Sequence, residues 1–288
     1  MAICPDGNCE DGELPVRLFA LGSYNSTRQK ASGHVDVDGV NLMAGVSLGN
    51  DSCETPLTLA LFAEWGEGDY TSRGNVSGNG RLKGKGDLEY YGGGILARTD
   101  KVAGDLYLEG SFRLGRYNSE YKSGDFYVPS YLGGRLPKVE VDGMYYGAHA
   151  GLGYVFALGD SAKLDTSVKY LWTRLEGDNV TVLGDRFKFD DVDSHRVQAG
   201  GRVLWEMENK LFAPYLGARY EYEFDGKAGG TVQGFRIPKT DMKGSTGLFD
   251  AGVKMRLRQD TVTLDFGVTG TVGQREGIGG HALLSWNF

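Results

Sequence analysis

The chain has 288 residues, a formal net charge of −7 and a pI near 5.2. This acidic balance argues against nucleic-acid binding, which usually relies on a basic patch. The mean hydropathy of −0.33 and the lack of any run of about 20 apolar residues exclude a membrane-spanning helix. They do not exclude membrane-spanning strands, which turn only alternate residues to lipid.

The first segment, residues 1–14, reads MAICPDGNCEDGEL and has no signal-peptide pattern. Cys4 and Cys9 are close enough for a disulfide in an oxidising compartment, which would leave Cys53 unpaired. The chain has three cysteines and no Cys/His cluster. The sequence therefore predicts no zinc site.

From Pro15 onward, apolar and polar residues alternate in long segments that polar, Gly-rich stretches separate. Segments of about ten residues or more have the length that a strand needs to cross a bilayer in a tilted barrel. In chain order they predict twelve strands, an even number as in single-chain bacterial barrels. The predicted strands are 15–24, 38–49, 56–66, 87–98, 104–117, 143–157, 163–174, 193–206, 211–225, 246–258, 261–273 and 278–288.

The predicted connections alternate in length. The long ones are 25–37, 67–86, 118–142, 175–192 and 226–245. Outer-membrane barrels have short periplasmic turns and longer extracellular loops, so both termini are expected in the periplasm. The sequence thus predicts one all-β domain over 15–288, a transmembrane antiparallel β-barrel.

Each strand pattern separates a lipid face from an inner face. In 105–116, Leu108 and Phe112 lie on one face, and Glu109 and Arg113 on the other. Such charges would be very costly in a dry sandwich core, so they favour a barrel with a hydrated lumen. They would line a pore or pair across the lumen and brace the wall. The predicted lumen-facing set is Glu109, Arg113, Lys169, Arg202, Glu206, Arg219, Glu221, Glu223, Lys254, Arg256 and Asp265.

The motif DDVDSHR offers a possible site at the junction of a loop and a strand. Asp190, Asp191, Asp193 and His195 could form an Asp/His protease site or a calcium site. A solvated acidic loop explains them better, because the whole chain is acidic. The alternation turns His149 and His281 to the lumen, which argues against a lipid-facing phospholipase site. We therefore expect no catalytic residue, metal or cofactor.

The last segment, GGHALLSWNF, carries an apolar stripe on alternate positions that ends at the chain terminus. The stripe consists of Ala282, Leu284, Trp286 and Phe288. It resembles the C-terminal signal by which the barrel-assembly machinery recognises outer-membrane proteins.

The wider pattern resembles the autotransporter C-terminal β-barrel, or translocator, family of Gram-negative outer membranes. PVRLFALGSYNSTRQ, YYGGGILARTDKVAGDLYLEGSFRLGRY, LFAPYLGARYEYEF and KGSTGLFDAGVKMRLRQDTVTLDFGVTGTVGQ carry the resemblance with the terminal strand. Family members have a linker helix before the first strand. Residues 1–14 are too short and too rich in Gly, Asp and Pro for it. Either the helix was removed with the passenger, which makes them a truncated linker, or the barrel is a divergent one. An Asn–Asn self-cleavage motif is also missing.

The resemblance implies a monomeric translocator that secretes an N-terminal passenger, absent from this chain, by type V secretion. It implies outer-membrane lipid, the barrel-assembly machinery and the passenger as partners, and no enzymatic activity. The alternative is a free-standing small porin or adhesin, and an omptin-like protease at the barrel top is more remote.

Overall fold

The computed structural model describes residues 15–31, 33–50, 55–76, 80–124, 138–182, 184–207, 211–258 and 261–288. Within these ranges, no helix has the length and hydropathy to cross a membrane. Residues 1–14, which were predicted as a truncated linker and contain Cys4 and Cys9, lie outside the described residues, and so does Cys53.

In the described part of the chain, twelve antiparallel strands form a closed barrel, which confirms the predicted fold class and strand number. The barrel strands are β1 (Val16–Lys30), β2 (His34–Asn50), β3 (Leu57–Val76), β4 (Gly80–Thr99), β5 (Leu106–Ser123), β6 (Lys138–Ala157), β7 (Ala162–Leu175), β10 (Val192–Trp205), β11 (Phe212–Glu223), β14 (Gly244–Leu257), β15 (Val262–Gly273) and β16 (Arg275–Asn287). A separate small sheet contains β8 (Asn179–Val182), β9 (Asp185–Phe189), β12 (Lys227–Val232) and β13 (Phe235–Asp241).

The barrel closes where the first strand pairs with the last. The antiparallel register runs from Arg17 opposite Asn287 to Gln29 opposite Arg275. Beyond it, the amide of Phe288 donates to the carbonyl of Val16 at 3.0 Å. Closure pairs the edges of β1 and β16, as the hydrocarbon layer requires, because lipid cannot satisfy backbone polar groups.

Two of the predicted long loops, 25–37 and 67–86, were wrong, and a third, 118–142, was too long at both ends, because β5 continues to Ser123 and β6 begins at Lys138. β1 continues to Lys30 and β2 begins at His34, while β3 continues to Val76 and β4 begins at Gly80. The alternation persists there with reversed polarity. In β2, for example, Asp36 and Asp38 point outward and Val37 points inward, as expected where water replaces lipid outside the wall.

The barrel wall is therefore taller on one side. β1–β6 have 15 to 20 residues, whereas the remaining barrel strands have 12 to 14. Since about 9–11 residues cross a bilayer, the long strands project well beyond the hydrocarbon layer at the end opposite the chain termini.

The four-stranded sheet stands beside the shorter wall, in segments 175–192 and 226–245 that the sequence predicted as loops. Its order is β13–β12–β9–β8. Gln233 (φ 50°) and Gly234 (φ 86°) form the β12–β13 turn, and positive φ at both positions is the signature of a type I′ hairpin turn. Phe235, just after the turn, is 80% exposed.

The outer face of the barrel is apolar over the central part of the strands. Large exposed side chains there include Leu61, Leu216, Phe249 and Val268. At the rim, the indole N–H groups of Trp65 and Trp172 donate to Glu89 and Asp193, each at 3.1 Å. This pattern is typical of a lipid-facing band edged by interfacial aromatic residues.

Candidate functional site: the barrel lumen

Contacts that skip a strand identify the inner face of the wall. Arg113 on β5 reaches Glu64 on β3 at 3.3 Å, and the Arg202 Nη2 on β10 reaches Asp250 on β14 at 2.7 Å. Side chains two strands apart can meet only on the concave side of a barrel. The strand alternation and these contacts place every residue of the predicted lumen-facing set on this inner face.

The Glu109 carboxylate on β5 is the centre of a first cluster. Lys169 on β7 contacts it at 2.5 Å, Arg98 on β4 at 3.5 Å and His149 on β6 at 3.6 Å. The other ring nitrogen of His149, Nδ1, is hydrogen-bonded to the Ser111 hydroxyl at 2.6 Å. Four neighbouring strands thereby share one polar network on the lumen side, where the sequence had placed His149.

A second cluster surrounds Asp250 on β14, whose side chain is only 2% exposed. Besides Arg202, the Arg219 guanidinium on β11 donates to it at 3.1 Å. The Arg202 guanidinium also lies over the ring of Tyr215, 4.2 Å from its centroid. Removing both arginines would leave a buried carboxylate uncompensated.

Glu221 and Glu223 on β11 form a third cluster with two arginines. Arg275 on β16 donates to Glu221 at 3.1 Å, although β16 is two strands beyond β14. Arg196 on β10 lies 3.5 Å from Glu223 and 3.9 Å from Glu221. These contacts connect β11 to β10 on one side and to β16, across β14 and β15, on the other.

Near the barrel mouth where the chain termini lie, Glu206 accepts hydrogen bonds from Arg256 at 3.1 Å and Lys163 at 3.3 Å. Asp265 on β15 lies 3.9 Å from Lys254. Ion pairs therefore occur from this mouth through the height of the barrel. They can brace the wall, which is one of the two roles predicted for the lumen-facing set, the other being a pore lining.

Buried tyrosines hold several of these carboxylates against the wall. Tyr145 donates to Glu64 at 2.8 Å, and Tyr215 donates to Asp265 at 2.9 Å. The predicted lumen-facing set did not include either tyrosine, Glu64 or Asp250. Strand alternation could have found all four, because each occupies an inward position of a predicted strand.

Glycines make room for these rings. A Cβ atom at Gly252 would lie 2.4 Å from the Tyr215 hydroxyl oxygen, and one at Gly92 would lie 2.3 Å from that of Tyr145. The tyrosines can therefore lie along the wall instead of projecting across the lumen. This helps to explain the high glycine content of the strands.

The lumen contains a cavity of about 350 Å³. Its lining residues from β1–β4 are all apolar, and its polar lining residues all lie on β5, β6, β7 and β10. The lining includes Phe19, Met43, Phe62 and Leu96 on the apolar side and Ser111, Arg113, His149, Thr173 and Arg196 on the polar side.

The DDVDSHR motif lies outside the lumen, at the outer rim. Asp191 accepts a hydrogen bond from the Gly177 amide at 2.8 Å and pairs with Arg174, and together they lower the pKa of its carboxyl. Asp193 bonds Trp172, and His195 bonds Tyr170. Among the described residues, no group of three or more His, Cys, Asp or Glu is arranged to hold a metal ion.

The C-terminal stripe lies on the outer face of β16. Leu284, Trp286 and Phe288 are exposed, and the rings of Trp286 and Phe288 pack with centroids 4.6 Å apart. Ala282 occupies the next outward position. The predicted stripe thus faces away from the lumen along the β1–β16 seam.

Comparisons with known proteins agree with this architecture. The model of the autotransporter β-domain family matches residues 16–269. No curated protein sequence matches the chain.

Among solved structures, the transport unit of the Escherichia coli autotransporter AIDA-I aligns with a TM-score of 0.67 and 12% identity, covering 98% of this chain and 93% of that one. The β-domain of the Bordetella autotransporter BrkA gives 0.65 and 18%, covering 94% and 98%. The translocator domain of Neisseria meningitidis NalP gives 0.68 and 12%, covering 98% and 91%.

Proposed function

Because the chain belongs to the autotransporter β-domain family, we propose that it is the outer-membrane barrel through which an N-terminal passenger is secreted to the cell surface of a Gram-negative bacterium. The observation that carries this proposal is the family match over most of a closed twelve-stranded barrel with a polar inner face. Its secretion route is type V, in which the passenger and the barrel belong to one polypeptide.

The proposal also includes an orientation in the membrane. We place the end that contains Val16 and Phe288 in the periplasm. This placement is supported by the tall strand extensions and the four-stranded sheet at the opposite end, since extracellular segments of outer-membrane barrels are the longer ones. It would bring a passenger joined to β1 to the periplasmic mouth of the lumen.

Two finer parts of the proposal concern partners and chemistry. The outward stripe of Ala282, Leu284, Trp286 and Phe288 would be recognised by the barrel-assembly machinery before insertion. The lumen residues would line a hydrated path and brace it, without catalysing a reaction. The barrel would act as a monomer, because its strands already close on themselves.

A surface-display experiment tests the function. A signal peptide and an epitope-tagged passenger are fused before residue 1, and display is measured by protease accessibility in intact cells. We expect the tag to be accessible when the barrel is folded, as judged by heat-dependent migration on gels. A folded barrel whose passenger stays in the periplasm would contradict the proposal. The same passenger without the barrel is the control.

An adhesin remains the second candidate, favoured by the four-stranded sheet with its exposed Phe235. In that case, cells that display the barrel without a passenger should adhere to surfaces or to each other. Deleting the β12–β13 hairpin should abolish that adhesion and leave passenger display intact.

A further inference from the structure

In each ion pair between lumen-facing strand residues, the carboxylate is more buried than its cationic partner. The carboxylate side chains are 2% to 14% exposed, whereas the Lys and Arg side chains are 22% to 38% exposed. The negative groups therefore lie against the wall, and the positive groups project toward the space that the barrel encloses.

Side-chain length and hydrogen bonding explain this orientation. Tyr145 and Tyr215 hold Glu64 and Asp265 down on the sheet, and carboxylates have short stems. Arginine and lysine have long stems that carry their charge to water. The result is a layered wall, with carboxylates beneath and cations at the surface.

The stoichiometry of the clusters adds to the effect. Glu109 is shared by Arg98 and Lys169, and Arg98 also pairs with Asp100 just beyond β4, so the charges there are balanced. Asp250 is shared by Arg202 and Arg219, so two cations face one buried carboxylate and positive charge is in excess. This holds although the net charge of the whole chain is −7.

The cavity of about 350 Å³ inside the barrel has the same character. Arg113, His149 and Arg196 line it opposite Phe19 and Phe62, and no Asp or Glu is among its lining residues. A group that is negatively charged and joined to apolar atoms would meet complementary surfaces on both sides.

We propose that the lumen selects anions, and that it binds carboxylate-bearing segments of polypeptide by its exposed cations. An ion inside a narrow water-filled path lies nearer to the projecting cations than to the carboxylates beneath them, and low-dielectric walls concentrate the field. The identity of the polypeptide rests on the proposed function. The ion preference does not, so it can fail or hold whatever the display experiment shows.

The test is the reversal potential of the purified chain in planar bilayers under a KCl gradient. We expect chloride to permeate about threefold or more better than potassium. A decaglutamate peptide should block the current at concentrations about tenfold below those of decalysine.

The variant Lys169→Gln/Arg219→Gln/Arg275→Gln removes exposed cations but leaves a cation beside each buried carboxylate: Arg98, Arg202 and Arg196 remain. It should lose most of the chloride preference and of the decaglutamate block. The matched control, Arg73→Gln/Lys85→Gln/Lys122→Gln, changes outward-facing cations beyond the lipid band and should keep both. Folding of each variant is checked by heat-dependent gel migration.

Three results would overturn the proposal. They are potassium preference in the unchanged chain, equal selectivity in both triple variants, and folded barrels that conduct no current, because the last would mean that the cations meet no continuous water path.

Discussion

The two faces of β15 give a direct test of the barrel's placement in lipid. Val268 lies near the middle of the strand, points outward and is 55% exposed. Its neighbour Thr269 points inward, opposite Asp250 on β14 and Gly279 on β16. One substitution to arginine on each residue therefore compares lipid with lumen at the same height.

The expected free-energy changes differ widely. Val268→Arg puts a charge into hydrocarbon near the midplane, which costs about 2–4 kcal/mol. Thr269→Arg puts the same group into a polar space near Asp250, so its cost should stay within about 1 kcal/mol. The difference of about 1–3 kcal/mol corresponds to a factor of roughly 5 to 150 in the unfolding equilibrium.

The measurement is reversible unfolding by guanidinium in phospholipid vesicles, followed by tryptophan fluorescence. Free energies come from the midpoint and slope of each transition. Equal destabilisation by the two arginines, or a larger loss for Thr269→Arg, would refute the assignment of the faces. The corresponding glutamine variants control for the loss of the original side chains.

Two further predictions concern the seam and the wall. Changing Trp286 and Phe288 together to Ala should lower the amount of barrel in the outer membrane, measured by membrane fractionation, while leaving periplasmic levels of the precursor intact; unchanged outer-membrane levels would mean that the stripe only packs. Tyr215→Phe should cost about 1–3 kcal/mol in the same unfolding assay, because buried Asp265 loses a donor. Tyr220→Phe, on the outer face, should cost less than about 0.5 kcal/mol, and equal losses would contradict the wall-bracing role of Tyr215.

The sequence predicted the part of the fold that lipid dictates. Within the hydrocarbon layer, outward residues must be apolar, so segments such as 105–116 show a clean alternation that identifies the strand and both of its faces. Glu109 and Arg113 could therefore be placed on the inner face without a structure. The strand number followed from the same constraint.

Beyond the lipid, the constraint disappears and the prediction failed. The outward positions of β2 and β3 there carry Asp36 and Asp69, and a polar, Gly-rich strand looks like a loop. The small sheet was missed for the same reason. Its signal was the Gln233–Gly234 pair between Val232 and Phe235, which fits a two-residue hairpin turn.

The partners of each lumen charge could not be predicted from the sequence. Alternation gives the face of a residue but not the stagger between strands, so the Arg275–Glu221 contact, across β14 and β15, depends on the closed barrel. Buried Asp250 is another example, since its two arginines come from β10 and β11.

The seam between β1 and β16 also determines when the barrel can become complete. Arg17 pairs with Asn287, so the closing contact spans nearly the whole chain, whereas all other barrel pairings join neighbours along it. A contact of such high sequence separation forms slowly, because the loop entropy is lost before the contact can compensate for it. Until then, every partly paired sheet presents two open edges, which makes it prone to aggregation. The folding of this protein should therefore be limited by closure, and protection of those edges should matter most in the interval before Phe288 reaches Val16.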